Sequence, residues 1–346
     1  MARRADGVVS GEAVSRRPRR PTAADVARHA GLSRATVSYV LNDTPHQVIP
    51  ERTRQRVHAA AAELGYTPSA AARTLSSGRS DVVLLLLPDW PIGPSVGELL
   101  EDLSAALAER GLTFVAHPRS AGRPIAEVWK AITPAAVVTF EQLDEAEAAR
   151  IQAAGVDLTV ALFGGRRGRG EAMDIPEQRT GRLQAEHLAV AGHRRLGYAW
   201  PDDDRVLTFS QPRLEGVRQT CADLGLADPV VVTVPLDPDG ATDAVRAWRD
   251  ASPAVTGVCA YNDEVALAVL GGAHRLGLDV PGDLAVIGAD NIPVAAVSMP
   301  PLTTVHADLQ VLSGHIADTI TRKLAGLPAP QRPGSDIHSV IRRESA

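Results

Sequence analysis

Aromatic and sulfur-bearing side chains are scarce in this chain: its 346 residues include 12 aromatics and two cysteines. Cys221 and Cys259 have no metal-like spacing and, this far apart, need no disulfide, so a reducing cytoplasm fits. Arg3 and Arg4 resemble the start of a secretory signal, but no apolar core of about 7 to 15 residues follows them. The apolar run Val82–Leu87 is too short to span a bilayer, and no membrane partner is expected. His-Glu-x-x-His, Cys-x-x-Cys and Gly-x-Ser-x-Gly are all missing, and the ten histidines, His187 and His193 among them, are scattered. The stretch Gly165–Gly170 has the glycines of a phosphate loop but neither the Walker nor the dinucleotide spacing. These absences exclude the commonest hydrolytic, redox and nucleotide-dependent chemistries, so no catalytic residue, metal or cofactor is expected.

What is present is unevenly distributed. Residues 1–80 hold 13 Arg, no Lys and 6 acidic residues, a charge of +7, whereas the rest holds 23 basic and 35 acidic residues, a charge of −12. The overall −5 hides that split. A basic head on an acidic body predicts a polyanionic partner for the head alone. Residues 1–20 are Arg-rich with few large apolar side chains and read as a disordered basic arm, either a solvated tail or a contact to phosphates.

From Thr22 the pattern becomes helical. Thr22-Ala-Ala-Asp25 is a capping box, Val26, Ala27 and Ala30 form an apolar stripe, and Gly31 supplies a turn. Ser33 then caps a second helix through Val37, Val40 and Leu41. Pro50 opens a third, with Val57, Ala60, Ala61 and Leu64 at helical spacing and Gly65 as its stop. Two short helices about one tight turn, the second studded with small polar residues, form a helix-turn-helix pattern.

The residues Asp25-Val-Ala-Arg-His-Ala-Gly-Leu-Ser-Arg-Ala-Thr-Val-Ser-Tyr-Val-Leu-Asn42, followed by Arg52-Thr-Arg54, Glu63-Leu-Gly-Tyr-Thr-Pro68 and Ala71-Ala-Arg-Thr-Leu75, resemble the lactose-repressor (LacI/GalR) family of bacterial transcription regulators. The resemblance implies that Arg34, Ala35 and Tyr39 read bases. Arg34 has the fork for guanine, and Ala35 is small enough to lie against a thymine methyl. Thr22, Ser33, Thr36, Ser38 and Asn42 carry groups suited to phosphate oxygens, or to ordinary capping. Ser69–Leu75 reads as a helix too short to be stable alone, since isolated helices below ~12 to 15 residues are marginal in water. By resemblance, Leu75 is an apolar wedge for the minor groove at the operator centre. The partners so implied are double-stranded operator DNA, a second copy of the chain and a small-molecule effector, probed by a protein that stays in the cytoplasm on the nucleoid.

The body begins at Asp81. Strand-like runs at Val82–Leu87, Leu112–Ala116, Ala135–Phe140, Leu158–Leu162, Leu196–Trp200, Val230–Val234, Gly257–Ala260 and Ala285–Gly288 alternate with helical patterns at Val96–Leu107, Ile125–Ile132 and beyond. That alternation predicts parallel, doubly wound α/β sheets. The resemblance implies a two-lobed, periplasmic-binding-protein-like core. The expected division is an arm over 1–20, an all-α head over 21–67, a hinge helix and linker over 68–80, and a core over 81–346. Within the core, lobe 1 takes about 81–171 and 303–326, and lobe 2 about 172–302 and 327–346.

His187-Leu188, Gly192-His-Arg-Arg-Leu196, Arg213-Leu-Glu-Gly216, Asn262-Asp263, Pro281-Gly-Asp283, Gly288-Ala-Asp290 and Pro301-Leu-Thr-Thr304 stand in the family's order. The resemblance puts Arg213, Asn262 and Asp290 around an effector, where an Arg fork and an Asp acceptor pair orient a polyol; Asp263 reads better as a helix cap. Trp90 and Phe209 are placed either to stack on a ring or to pack at a hinge. The family's frequent Asn-Pro-Phe-Phe after the first strand is replaced by Pro91-Ile-Gly-Pro94, and Arg166, Arg167 and Arg169 lie in a loop that is either solvated surface or a contact to an anion. The C-terminal Ile341-Arg-Arg-Glu-Ser345 has no leucine heptads beyond it, so a dimer and not a tetramer is expected. A solute receptor would explain the body but not the head, and an architectural DNA-bending protein the head but not the body.

Overall fold

The computed structural model describes residues 21–41, 47–66, 80–118, 132–140, 143–153, 155–156, 158–162, 171–172, 177–331 and 337–346. The chain forms two compact units, Met1–Ser80 and Asp81–Ala346.

In the first unit α1 (Ala23–Ala30), α2 (Arg34–Leu41) and α3 (Glu51–Glu63) surround a core of small side chains. The α1 start is the predicted capping box: the Thr22 N–H donates to Asp25 Oδ2 at 2.9 Å, and the Asp25 N–H to Thr22 Oγ1 at 3.4 Å. Gly31, at φ 60°, adopts the left-handed conformation that ends α1 and turns the chain into α2. Val26, Ala27, Ala30, Val37, Val40, Val57, Ala60 and Ala61 are all buried, with Leu32, Leu41, Ile49, Leu64 and Tyr66 packed around them. Short side chains let three short helices meet closely. Two polar ties join α3 to α1 and to the turn: His29 Nε2 to Glu63 Oε2 at 2.6 Å, and Arg56 Nη2 to the Gly31 carbonyl at 3.2 Å.

The second unit carries two sheets. In the first, strands run β2-β1-β3-β4-β5, all parallel: β1 (Val82–Leu87), β2 (Thr113–Pro118), β3 (Ala136–Thr139), β4 (Thr159–Ala161) and β5 (Glu171–Ala172). The apolar run of β1 is explained by cover on both faces. Leu84 and Leu86 meet Val137, Ile151 of α5 (Glu145–Ala153) and Val156 on one side. Val83, Leu85 and Leu87 meet α4 (Pro94–Ala108) through Leu99, Leu103 and Leu107 on the other. Each such leucine contributes about 1.5–3 kcal/mol by leaving water, so β1 anchors this lobe.

The second sheet has six strands in the order β11-β10-β9-β8-β6-β7: β6 (Leu196–Pro201), β7 (Val230–Val234), β8 (Gly257–Ala260), β9 (Ala285–Ala289), β10 (Thr303–Ala307) and β11 (His338–Ile341). It is parallel except for β11, which runs antiparallel to β10 at one edge. Helices α6 (Glu177–Val190), α7 (Leu207–Asp223), α8 (Pro238–Asp250) and α9 (Asp263–Arg275) cover it. Edge strand β7 shows alternating burial, whereas β8 and β9 are buried at every residue, as expected of an edge and an interior.

One boundary differs from the sequence reading. The stretch from 303, assigned by resemblance to lobe 1, begins with β10, which pairs with β9 and β11 in the lobe 2 sheet. The chain crosses only at Asp308, the N-cap of α10 (Leu309–Leu324), which packs Leu312, Ile316 and Ile320 on the first sheet. Hydrogen-bonded pairing overrides the motif boundary here. Most of the predicted helix Ile125–Ile132 lies outside the described residues.

Candidate functional site

The head presents one polar face. Val37 and Val40 point α2 into the core, and the opposite side leaves Ser33, Arg34, Ala35 and Tyr39 exposed, with Thr36 and Ser38 half-buried. Thr22 is exposed at the start of α1. Ser33 is also a cap: its Oγ accepts the Thr36 N–H at 3.0 Å and lies 2.8 Å from Thr36 Oγ1. These two hydroxyls therefore hold the first turn of α2 while facing solvent at the end of the helix where Arg34 and Ala35 emerge. The predicted contacts Asn42 and Leu75 lie outside the described residues.

In the body, a cleft of about 480 Å³ opens between segments that follow strand ends of the two sheets. Its lobe 1 wall is Trp90–Val96, after β1; lobe 2 contributes Pro201–Asp203, Arg205, Val206 and Phe209 at and beyond the end of β6, Val234 and Leu236 at and beyond the end of β7, Tyr261, Asn262, Glu264 and Val265 after β8, and Asp290 and Ile292 after β9. Ligand sites of open parallel sheets lie in this position because successive strand ends converge there.

Four of the five residues predicted to hold an effector line this cleft, but their side chains are already engaged. Trp90 makes edge contacts with Phe140 at 4.4 Å and with Phe209 at 4.6 Å between ring centroids, so the two predicted stacking rings pack on each other across the lobes. Asn262 is the N-cap of α9, its Oδ1 accepting the Val265 N–H at 3.0 Å. Asp290, at φ 97°, takes a left-handed conformation unusual for a non-glycine residue and accepts from Arg213 Nη2 at 3.1 Å.

Arg213 stands one layer back, 8% exposed and not on the cleft wall. Its Nε donates to Glu177 Oε2 at 2.6 Å and its Nη1 to the Tyr261 carbonyl at 2.8 Å, and its guanidinium carbon lies 5.2 Å from the centre of the Tyr261 ring. With the bond to Asp290, two of its five N–H groups remain for a ligand. Burial alone would push its pKa down; the Asp290 and Glu177 carboxylates more than offset that and raise it well above the usual arginine value. Glu177 was not foreseen, because it opens α6 with no motif around it and meets Arg213 only through the fold.

The expected cap Asp263 is corrected in the same region. Asn262 caps the helix instead, and the fully buried Asp263 accepts from Thr304 Oγ1 at 2.6 Å and from the Ile292 N–H at 2.8 Å. A β-carbon on Gly288 would lie 2.0 Å from Asp263 Oδ1, so the carboxyl requires glycine there. Burial pushes the Asp263 carboxyl up to about 7, against the downward pull of the Thr304 and Ile292 hydrogen bonds. Between the ordinary value of 3.8 and about 7 the native state then binds more protons at this site than the unfolded chain. Its stabilising contribution is complete below that window and is lost as pH rises through it. Asp263→Asn is expected to flatten the corresponding slope of urea-unfolding free energy between pH 4 and pH 7; an unchanged slope rejects the assignment.

An exposed helix-turn-helix face and a cleft at converging strand ends coincide in one chain. Residues 22–69 match the family model described as bacterial regulatory proteins, lacI family, and residues 185–346 match a periplasmic binding protein-like domain. The transcriptional regulator CelR of Thermobifida fusca is 30% identical over 352 residues, covering 94% of this chain and 98% of that protein. The chain belongs to the lacI family. A second member, MalR of Streptomyces coelicolor, is 32% identical over 329 residues, covering 89% of this chain and 91% of the relative. The structure of a CelR–cellobiose complex superposes with a TM-score of 0.63 at 27% identity, covering 94% of this chain and all of that one. As a lacI-family member the protein is a DNA-binding transcriptional regulator and not an enzyme. Among the described residues, no helix is long and apolar enough to cross a membrane.

Proposed function

We propose that the protein is a repressor that binds a pseudo-palindromic operator as a homodimer, with its affinity set by a small sugar-like effector in the cleft. The observation that carries the DNA half is the two-sidedness of α2, with Val37 and Val40 buried and Arg34, Ala35 and Tyr39 exposed. A helix so arranged can enter the major groove by its first turns while its other face stays in the core. Thr22, Ser33, Thr36, Ser38 and Asn42 would set its position on phosphates and Leu75 would open the minor groove, the last two argued from sequence alone. In this reading residues 1–20 are an arm, 21–67 the head, 68–80 the connecting hinge and 81–346 the regulatory core, at work in the cytoplasm on the nucleoid.

Dimerisation is supported by a lobe 2 patch outside the cleft. Val294, Val297 and Met299 are 46%, 79% and 93% exposed within six residues of each other, and a self-complementary apolar surface is what a two-fold partner covers. The effector half is supported by the cleft, whose Asp290 carboxyl is held by a buried arginine, and by the relative CelR, described in complex with cellobiose. Trp90, Phe209, Asn262 and Asp290 would shape the bound state from the wall, and Arg213 from behind it.

Selection of bound DNA from a random pool should return an inverted repeat, and enrichment of no sequence would reject the proposal. Arg34→Ala should relax preference at one symmetric base position by about 1–3 kcal/mol while leaving the other positions readable. A uniform loss at every position would mark Arg34 as a phosphate contact and not a reader.

A further inference from the structure

This inference rests on reading the cleft as an effector site, and concerns the charge such an effector can carry. Among the described residues lining the cleft, Asp202, Asp203, Glu264 and Asp290 supply carboxylates, and Arg205 is the one arginine. That arginine is committed: its Nε and Nη2 lie 2.9 Å and 2.7 Å from the Asp203 carboxylate, and its Nη1 lies 3.8 Å from Asp89. Arg213, behind Asp290, is balanced by Glu177. The Asn262 amide faces Glu264, with Nδ2 donating to Oε2 at 3.4 Å. A ligand entering this space meets acceptors and negative charge.

The position of Glu264 adds a second, independent observation. A β-carbon on Gly93 would lie 3.9 Å from Glu264 Oε2, and Gly93 is the N-cap of the 15-residue α4 on the opposite lobe. The amino end of a helix is where an anionic ligand group would otherwise settle. Here a carboxylate from the facing lobe already occupies that neighbourhood. The remaining lining is largely apolar, and Ile92 and Leu236, one from each lobe, stay 63% and 67% exposed.

We propose that the cleft selects an effector without negative charge, offering hydroxyl or ammonium donors beside an apolar face, and that Glu264 enforces the selection against anions. Donors satisfy Asp202, Asp290 and Glu264; a phosphate or carboxylate would meet like-charge repulsion from the carboxylates that outnumber the cations among the described lining residues, an effect that weakens as salt is raised.

The test titrates the full-length protein calorimetrically with cellobiose and maltose, the disaccharide of glucosamine, and cellobiose and maltose 6-phosphates, following operator affinity in parallel. Binding is expected from neutral or amine-bearing members, with each phosphate at least about tenfold weaker than its parent. Glu264→Gln, an exposed and nearly isosteric change, should narrow that gap by about tenfold without moving the melting temperature. A phosphate that binds as tightly as its parent overturns the inference, as does a panel with no binder. An unchanged preference in Glu264→Gln overturns the role of that residue. A phosphate that binds and releases operator DNA would sink the charge selection while leaving the regulator reading intact, whereas absence of sequence-specific DNA binding would sink the reading itself.

Discussion

Arg213→Ala is expected to lower the unfolding free energy of the core by about 3–5 kcal/mol, the scale for removing one partner of a buried ion cluster. The wild-type guanidinium lies between Glu177 and Asp290, with the three side chains between 10% and 20% exposed. Without it, two partly buried carboxylates lose their counter-charge, and the Tyr261 carbonyl loses a donor. The loss exceeds that from severing a surface pair because the unpaired groups cannot recover full hydration. One signature separates this from a simple cavity: adding Glu177→Gln should restore part of the lost stability at neutral pH, because it removes one of the two uncompensated charges. Urea unfolding checks it, and a deficit below about 1 kcal/mol, in the range of exposed pairs, rejects the cluster's role. The effector response should be lost as well, since Asp290 depends on Arg213 for its orientation.

Gly216→Ala should cost about 3 kcal/mol, although alanine is the better helix former by about 1 kcal/mol. Helices α6 and α7 approach through paired glycines. A β-carbon on Gly216 would lie 2.0 Å from the Gln178 carbonyl oxygen, and one on Gly181 would lie 1.8 Å from the Arg213 carbonyl oxygen. Both obstacles are backbone, so neither can swing aside, and the helices must separate. Because α6 carries Glu177 and α7 carries Arg213, the same displacement should weaken the ion cluster and the effector response with it. Gly271→Ala in α9 is the control: a β-carbon there meets nothing within 4 Å. It should be neutral or stabilising by up to about 1 kcal/mol. Equal melting temperatures for Gly216→Ala and Gly271→Ala would contradict the close crossing.

The head was legible in the sequence because its determinants are local. A capping box spans four residues, the Gly31 turn needs one left-handed position, and the stripe of Val26, Ala27 and Ala30 repeats at helical spacing. The strands of the body were legible for a similar reason: a run such as Val82–Leu87 can be buried on both faces only inside a covered parallel sheet. The short antiparallel β11 was not, since these four residues become a strand only through pairing with β10.

The amino-acid sequence by itself determined the class of molecule: a basic helix-turn-helix head with Arg34, Ala35 and Tyr39 on its second helix, followed by a doubly wound α/β body. Local propensity, charge and hydrophobic period carry that information. Only the tertiary structure decided what the body's polar residues do. It made Asn262 the cap and Asp263 the buried acceptor, set Trp90 against Phe209, and moved Arg213 behind the wall it was expected to line. Those roles depend on partners between 36 and 119 residues away or on the direction of a side chain, and neither leaves a periodic trace in the chain. The physical reason is that a buried polar group is assigned its role by whichever partner the packed sheets bring within hydrogen-bonding distance, and that distance exists only after folding.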